Sequence, residues 1–224
     1  MLQLKTLLLG TSFCLVFNLG YAQALKKVTK KTKIDACSLV ENYQVLKSDS
    51  KVKHGSYSAQ ILTYTEKGQY DQGKPSGIWE FSGNTEVHQK FDFSTSKFLL
   101  DEPSKIVKKI VLLDDKNKPG KEIEAKNFYL GGDPKMLVIV NKCMKYPRKA
   151  QENDAKGEVI LSATLTKEGK IINEKAESNL GSGLEEESLR VLKLIPATWV
   201  PVMVDGRPVD VKLFFSFNFT LTTT

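Results

Sequence analysis

The spacing of hydrophobic and polar positions changes character three times along this chain. Residues 1–22 carry one charge, Lys5, ahead of an apolar run over 7–19, then Gly20-Tyr21-Ala22. From 51 to about 100 the pattern alternates with period two and is punctuated by glycine. Residues 58–64 predict a strand, Glu66-Lys67-Gly68 a turn, and 69–71 a short strand. A second turn over 72–77 leads to the strand Ile78-Trp79-Glu80-Phe81, closed by Ser82-Gly83-Asn84. Residues 106–113 and 122–129 predict two further strands about a turn-rich break at 114–120. Leu130-Gly131-Gly132-Asp133-Pro134 then breaks the pattern, which places a domain boundary near 129–133.

After that break the period lengthens. Asp133 as N-cap and Pro134 at the first helical position open a helix, with Met136, Leu137, Ile139, Val140 and Cys143 on one stripe. Tyr146-Pro147 interrupts it. Residues 157–165 alternate as a strand, Lys167-Glu168-Gly169-Lys170 turns, and 171–177 return. Leu184, Ser188, Val191, Leu192 and Ile195 recur at helical spacing until Pro196 stops them, and 209–221 is a long β-rich stretch.

The charged n-region, short apolar core and small residues at 20–22 read as a secretory signal peptide over 1–22, with cleavage after Ala22 or, almost as well, after Ala24. The alternative is a retained inner-membrane anchor, since residues 6–25 are uncharged and just long enough to span. The first reading makes the protein periplasmic. A basic segment, 23–50, follows; five lysines lie within 25–33, and a solvated, frayed terminus is the simpler expectation over contact with an acidic partner or anionic lipid. Export leaves Cys37 and Cys143. An even count in an oxidising compartment permits a disulfide, while two cysteines so far apart form no framework pattern.

Composition narrows the function. The 224 residues hold 33 Lys plus Arg, 26 Asp plus Glu and 2 His, for a net charge of +7. The basic residues are spread along the chain and not interleaved with aromatics, which argues against nucleic acid. His54 and His88 lack a cysteine or acid at ligand or triad spacing, so no metal site and no catalytic residue is assigned. Gly181-Ser182-Gly183 is not a nucleophile elbow, and Glu185-Glu186-Glu187 suits the dipole of a helix start. Gly68 to Lys74 matches the opening of a phosphate-binding loop, but Pro75 stands where Ser or Thr is needed and a strand follows instead of a helix. No cofactor and no small-molecule substrate are expected.

Residues 68–81, Gly-Gln-Tyr-Asp-Gln-Gly-Lys-Pro-Ser-Gly-Ile-Trp-Glu-Phe, resemble one unit of the MORN-type repeat, and His54-Gly55-Ser56-Tyr57 resembles the start of another. The likeness implies stacked β-hairpins over 51–129 serving packing or interaction.

A second resemblance covers about 130–221. Tyr146-Pro147, Ala150, Gly157, Val159, the hairpin Gly169, Gly181-Ser182-Gly183-Leu184-Glu185, Arg190, Pro196, Trp199-Val200-Pro201, Gly206-Arg207-Pro208-Val209 and Phe217-Asn218-Phe219 follow the order and gaps of the TonB C-terminal domain. It implies an α+β protein: an antiparallel β-meander, then two helices packed on a three-stranded antiparallel sheet. It also implies a non-catalytic module that pairs by strand addition with a peptide of a TonB-dependent outer-membrane transporter or another envelope protein. By position the free edge is the last strand, with Arg207, Val209, Val211, Lys212, Leu213, Phe215 and Phe217 at the partner, and a homodimer through that strand is a further implication. Tyr146, Pro147, Gly157, Gly169, Leu184, Pro196, Trp199, Pro201, Gly206 and Phe219 carry the family pattern. Two features depart from an energy transducer: there is no long Pro-rich spacer, and the hydrophobic N-terminus looks cleavable. A membrane-anchored transducer is therefore the alternative function.

Overall fold

The computed structural model describes residues 24–124 and 126–221, so the signal or anchor at 1–22 lies outside the described residues. The chain opens with β1 (Leu25–Ile34), β2 (Cys37–Leu46), β3 (Lys53–Ile61), β4 (Tyr64–Asp71), β5 (Lys74–Gly83), β6 (Glu86–Asp92) and β7 (Lys97–Asp101). They form a seven-stranded antiparallel meander in sequence order, which fits the MORN-like hairpins. Its inner face is a run of rings. Tyr57 and Tyr70 lie 4.9 and 5.4 Å from Trp79, Trp79 is 5.4 Å from Phe93, and Phe91 is 4.9 Å from both Phe93 and Phe98. Such edge and tilted contacts between neighbouring strands add to simple area burial.

Two local expectations are corrected here. The basic segment is no frayed tail: residues 25–34 pair with Cys37–Leu46 along their full length, and the lysines point outward from an edge strand, where they deter pairing with other chains. Glu66-Lys67-Gly68 is no turn either; it lies inside β4, and the reversal occurs at Leu62-Thr63. Gly68 is there because the Trp79 indole occupies the space of its missing side chain, 2.3 Å from where a Cβ would stand.

The second part comprises β8 (Val107–Leu113), β9 (Pro119–Ile123), α1 (Gly132–Cys143), α2 (Arg148–Glu152), β10 (Gly157–Leu165), β11 (Ile171–Ala176), α3 (Leu184–Leu192), β12 (Val202–Val204), β13 (Arg207–Val209) and β14 (Val211–Phe219). Five strands form one antiparallel sheet in the order β11-β10-β14-β8-β9, and β12-β13 is a separate hairpin. The α+β architecture stands, but the sheet has five strands where three were expected. Residues 107–123 belong to it and not to the meander, so the change of sheet falls between β7 and β8, earlier than 129–133.

Helix α1 lies between the two sheets and packs on β2, β4, β5 and β6 as well as on α3. Asp133 does not cap it, the N-cap being Gly131. The Asp133 carboxylate instead accepts from Ser104 Oγ at 2.5 Å and from the Lys105 and Ile106 backbone amides, pinning the approach to β8 against the helix. Lys135 donates to Glu66 at 3.0 Å in a buried ion pair, and Gln89 accepts from the Gly131 amide at 2.8 Å. Both sheets thus share one continuous core.

Candidate functional site

The expected partner-binding strand is β14, and its composition explains its placement. Val211, Leu213, Phe215, Phe217 and Phe219 are all buried. Strand β10 pairs along its whole length, from Gly157↔Phe219 to Leu165↔Val211. On the other side β8 pairs from Val211↔Leu112 to Phe215↔Val107. Leu113 donates to the Asp210 carbonyl and Ser216 to the Ile106 carbonyl, each at 3.0 Å. The strand expected at the edge is therefore internal, and the same cover removes the surface for a homodimer through it. The reason is chemical: Val107, Ile110 and Val111 are apolar and buried, so β8 meets β14 as a core strand would. Past Ser216 the register with β8 ends, leaving only the tip about Asn218 beyond it.

The charged residues assigned to that edge are elsewhere or engaged. Arg207 and Val209 lie on β13, across the Gly206 turn from β12. Lys212 donates to Glu177 at 2.8 Å, and Glu177 also accepts from Ser162 at 2.7 Å. Those hydrogen bonds, Lys212 first, hold the Glu177 carboxyl down at about 2.

The family-pattern residues fix the frame. Tyr146 donates to the Ala155 carbonyl at 2.6 Å and sets its ring edge-on to Phe219 at 5.5 Å. Pro147 precedes α2, Gly157 begins β10, and Leu184 begins α3 with its side chain buried. Pro196 follows α3; Trp199 stacks between Tyr129 at 4.8 Å and Phe215 at 5.9 Å. Gly169 turns the β10–β11 hairpin at φ 77°, where a Cβ would stand 2.8 Å from the Trp199 carbonyl. Pro201 lies just after that carbonyl.

Beside this frame a cleft of about 1010 Å³ opens between the two sheets. Phe93 and Phe98 line it from the meander, Ile123 from the end of β9, Phe128 from the connection to α1, and Trp199, Pro201 and Met203 from the last third of the chain. Lys97, Lys126 and Lys167 stand around it. None of the lysines was a candidate in the sequence, because their proximity depends on three distant segments converging.

Residues 142–221 match the family model described as the Gram-negative bacterial TonB protein C-terminal. This segment is similar to the TonB C-terminal domain. No MORN family model matches the meander. No curated protein and no solved structure matches the chain.

The matched segment thus holds α2, α3, β10, β11, β12, β13 and β14, while β8 and β9 lie upstream of the match. The strand covering β14 is an addition from outside the domain. The cysteines link the same two regions. Cys143, at the end of α1, places its sulfur 3.7 Å from that of Cys37 on β2, and both are buried free thiols. Burial, then the neighbouring Cys143, pushes the Cys37 thiol up to about 11. Arg190 of the domain reaches Asp35 of the β1–β2 turn at 3.0 Å. His54 and His88 each face one exposed carboxylate, Asp71 and Glu102, at 3.3 Å.

Proposed function

We propose that this protein is an exported, non-catalytic module of the periplasm that binds an extended segment of another envelope protein, with a TonB-dependent outer-membrane transporter as the leading partner class. The observation that carries the reading is the TonB C-terminal match over 142–221, a domain type that works by protein interaction in the periplasm. Two aromatic contacts brace the matched segment and support the reading: Trp199 lies between Tyr129 and Phe215, and Tyr146 meets Phe219. The seven-stranded meander adds interaction surface and no element that would span a periplasm. The self-pairing of β14 with β8 turns the reading away from addition at β14 and towards another surface.

The test is direct. The chain purified from a Gram-negative periplasm is titrated with fluorescent peptides copying the periplasmic N-termini of the host's TonB-dependent transporters. Saturable binding by at least one supports the function; no binding by any of them refutes it.

A further inference from the structure

We propose that the cleft beside β7 is the docking site for an extended acidic peptide, which adds a strand to the free edge of β7 and seats a large apolar side chain between Phe98 and Phe128. The inference rests on the envelope-binding reading and names its surface and the chemistry of its partner.

Three observations meet here. Strand β7 ends the seven-stranded sheet, so among the described residues no strand pairs with its outer side. An unpaired strand offers its N–H and C=O groups to any extended chain. Between Lys97 and Asp101 this edge is apolar: Leu99, which stands in a bulge of the β6–β7 ladder, is 54% exposed and Leu100 40%, while the Asp101 carboxylate is taken up by Gln89. The opposite end of the same sheet, β1, is crowded with lysines and so discourages addition.

The cleft continues this edge. Phe98 faces it from β7, and Phe128, Ile123 and the 55% exposed Met203 complete its apolar lining. The lining is therefore apolar on both walls, which suits a large apolar side chain better than a polar one.

Charge selects the partner. Lys97, Lys126 and Lys167 surround the cleft against one carboxylate, Glu124, which Lys126 meets at 3.6 Å. Carboxylates flanking an apolar residue fit that rim, whereas a basic peptide is repelled. A fatty acid would meet the charge and the apolar floor but leave the β7 backbone unused.

Random nonapeptides displayed on phage are selected on the intact periplasmic chain, and the best are measured in solution with hydrogen exchange of the complex. Enriched sequences should alternate apolar residues with flanking Asp or Glu, and should protect the β7 amides. Combining Lys97→Glu, Lys126→Glu and Lys167→Glu, all exposed positions, should weaken them about tenfold with the melting temperature retained. Protection confined to other strands, or affinity unmoved by the triple variant, overturns the assignment. So does palmitate displacing the peptide without protecting β7, or β7 protection that grows with protein concentration alone, which would mean a second copy occupies the edge. If transporter peptides bind the triple variant as they bind the wild type, this site is wrong and the envelope function stands. If selected peptides occupy the cleft while no transporter peptide binds, the site stands and the partner class falls.

Discussion

Replacing Lys135 by Met tests whether the two sheets are held together by a buried ion pair. Lys135 belongs to α1 and Glu66 to β4, and their side chains are 4% and 9% exposed. The ammonium donates to Glu66 at 3.0 Å, while Tyr57 and Tyr64 donate to the same carboxylate at 3.1 and 2.8 Å. Burial alone would lower the Lys135 ammonium, but the Tyr129 and Glu66 oxygens hold it above its ordinary value of 10.5. Its contribution is therefore present at neutral pH and is lost only as pH rises through that raised value.

Removing one partner of such a pair strands the other charge and costs about 3–5 kcal/mol. In a chain of this size that is a fall of about 6–20 °C in melting temperature, read by calorimetry and urea denaturation. Adding Glu66→Gln removes the stranded charge and keeps an oxygen for the two tyrosines, so the double variant should return to within about 1 kcal/mol of wild type. A Lys135→Met cost below about 1 kcal/mol, or a double variant as unstable as the two single changes summed, would refute the reasoning.

Cys37 and Cys143 are expected to be bridged in protein taken from an oxidising compartment: their two thiols give two electrons and two protons to an incoming protein disulfide, which leaves as a dithiol. Closing a loop of this length is worth about 4.7 kcal/mol in the chain-entropy view; two thiols alkylated without prior reduction would refute it. Glu177 is held at about 2 from an ordinary 4.5, so its stabilising effect is present above 4.5 and fades as pH falls towards 2; Lys212→Met should flatten that acid limb of the stability profile. Val111→Pro removes a backbone donor that alternation aims at Lys212, so β8 should leave β14 and the chain should associate in sedimentation runs; a monomer of unchanged melting temperature would show that β8 does not matter as a cover.

Where neighbours in sequence are neighbours in space, the pattern was legible. Strand β10 falls at 157–165 as its alternation predicts, the Gly169 hairpin follows, and α3 begins at Leu184 with its acids in the first turn. The misreadings share a physical cause in pairing at a distance. Gly68 resembles a turn glycine until the Trp79 ring is placed on it from the next strand. Residues 25–34 resemble a solvated tail because seven of their ten pairing partners lie beyond Leu39, and a strand at the edge exposes its charges as a tail would. Residues 106–113 were correctly expected as a strand, but an apolar alternation does not say which edge it joins, and it joins β14 across roughly a hundred residues. The cleft was illegible for the same reason.

The covering of β14 also decides where strand addition is favourable. A peptide that took β14 would first have to displace β8, which gives up its ladder and exposes Val107, Ile110 and Val111, all now buried. At about 1.5–3 kcal/mol for each such side chain, the loss is about 5–9 kcal/mol before any backbone bond is counted. A peptide of similar composition would regain about the same amount, so the exchange tends to no net gain. It also loses an intramolecular partner, whose effective concentration a free peptide does not match. Addition to β7 displaces no strand among the described residues, so new backbone bonds and burial of Leu99 have only the ordinary costs of association to offset. A fold that covers β14 with β8, and blunts β1 with lysines, leaves β7, β9 and β11 as the strand ends of its two larger sheets, and of these β7 is the one that carries Leu99 and Leu100 exposed side by side.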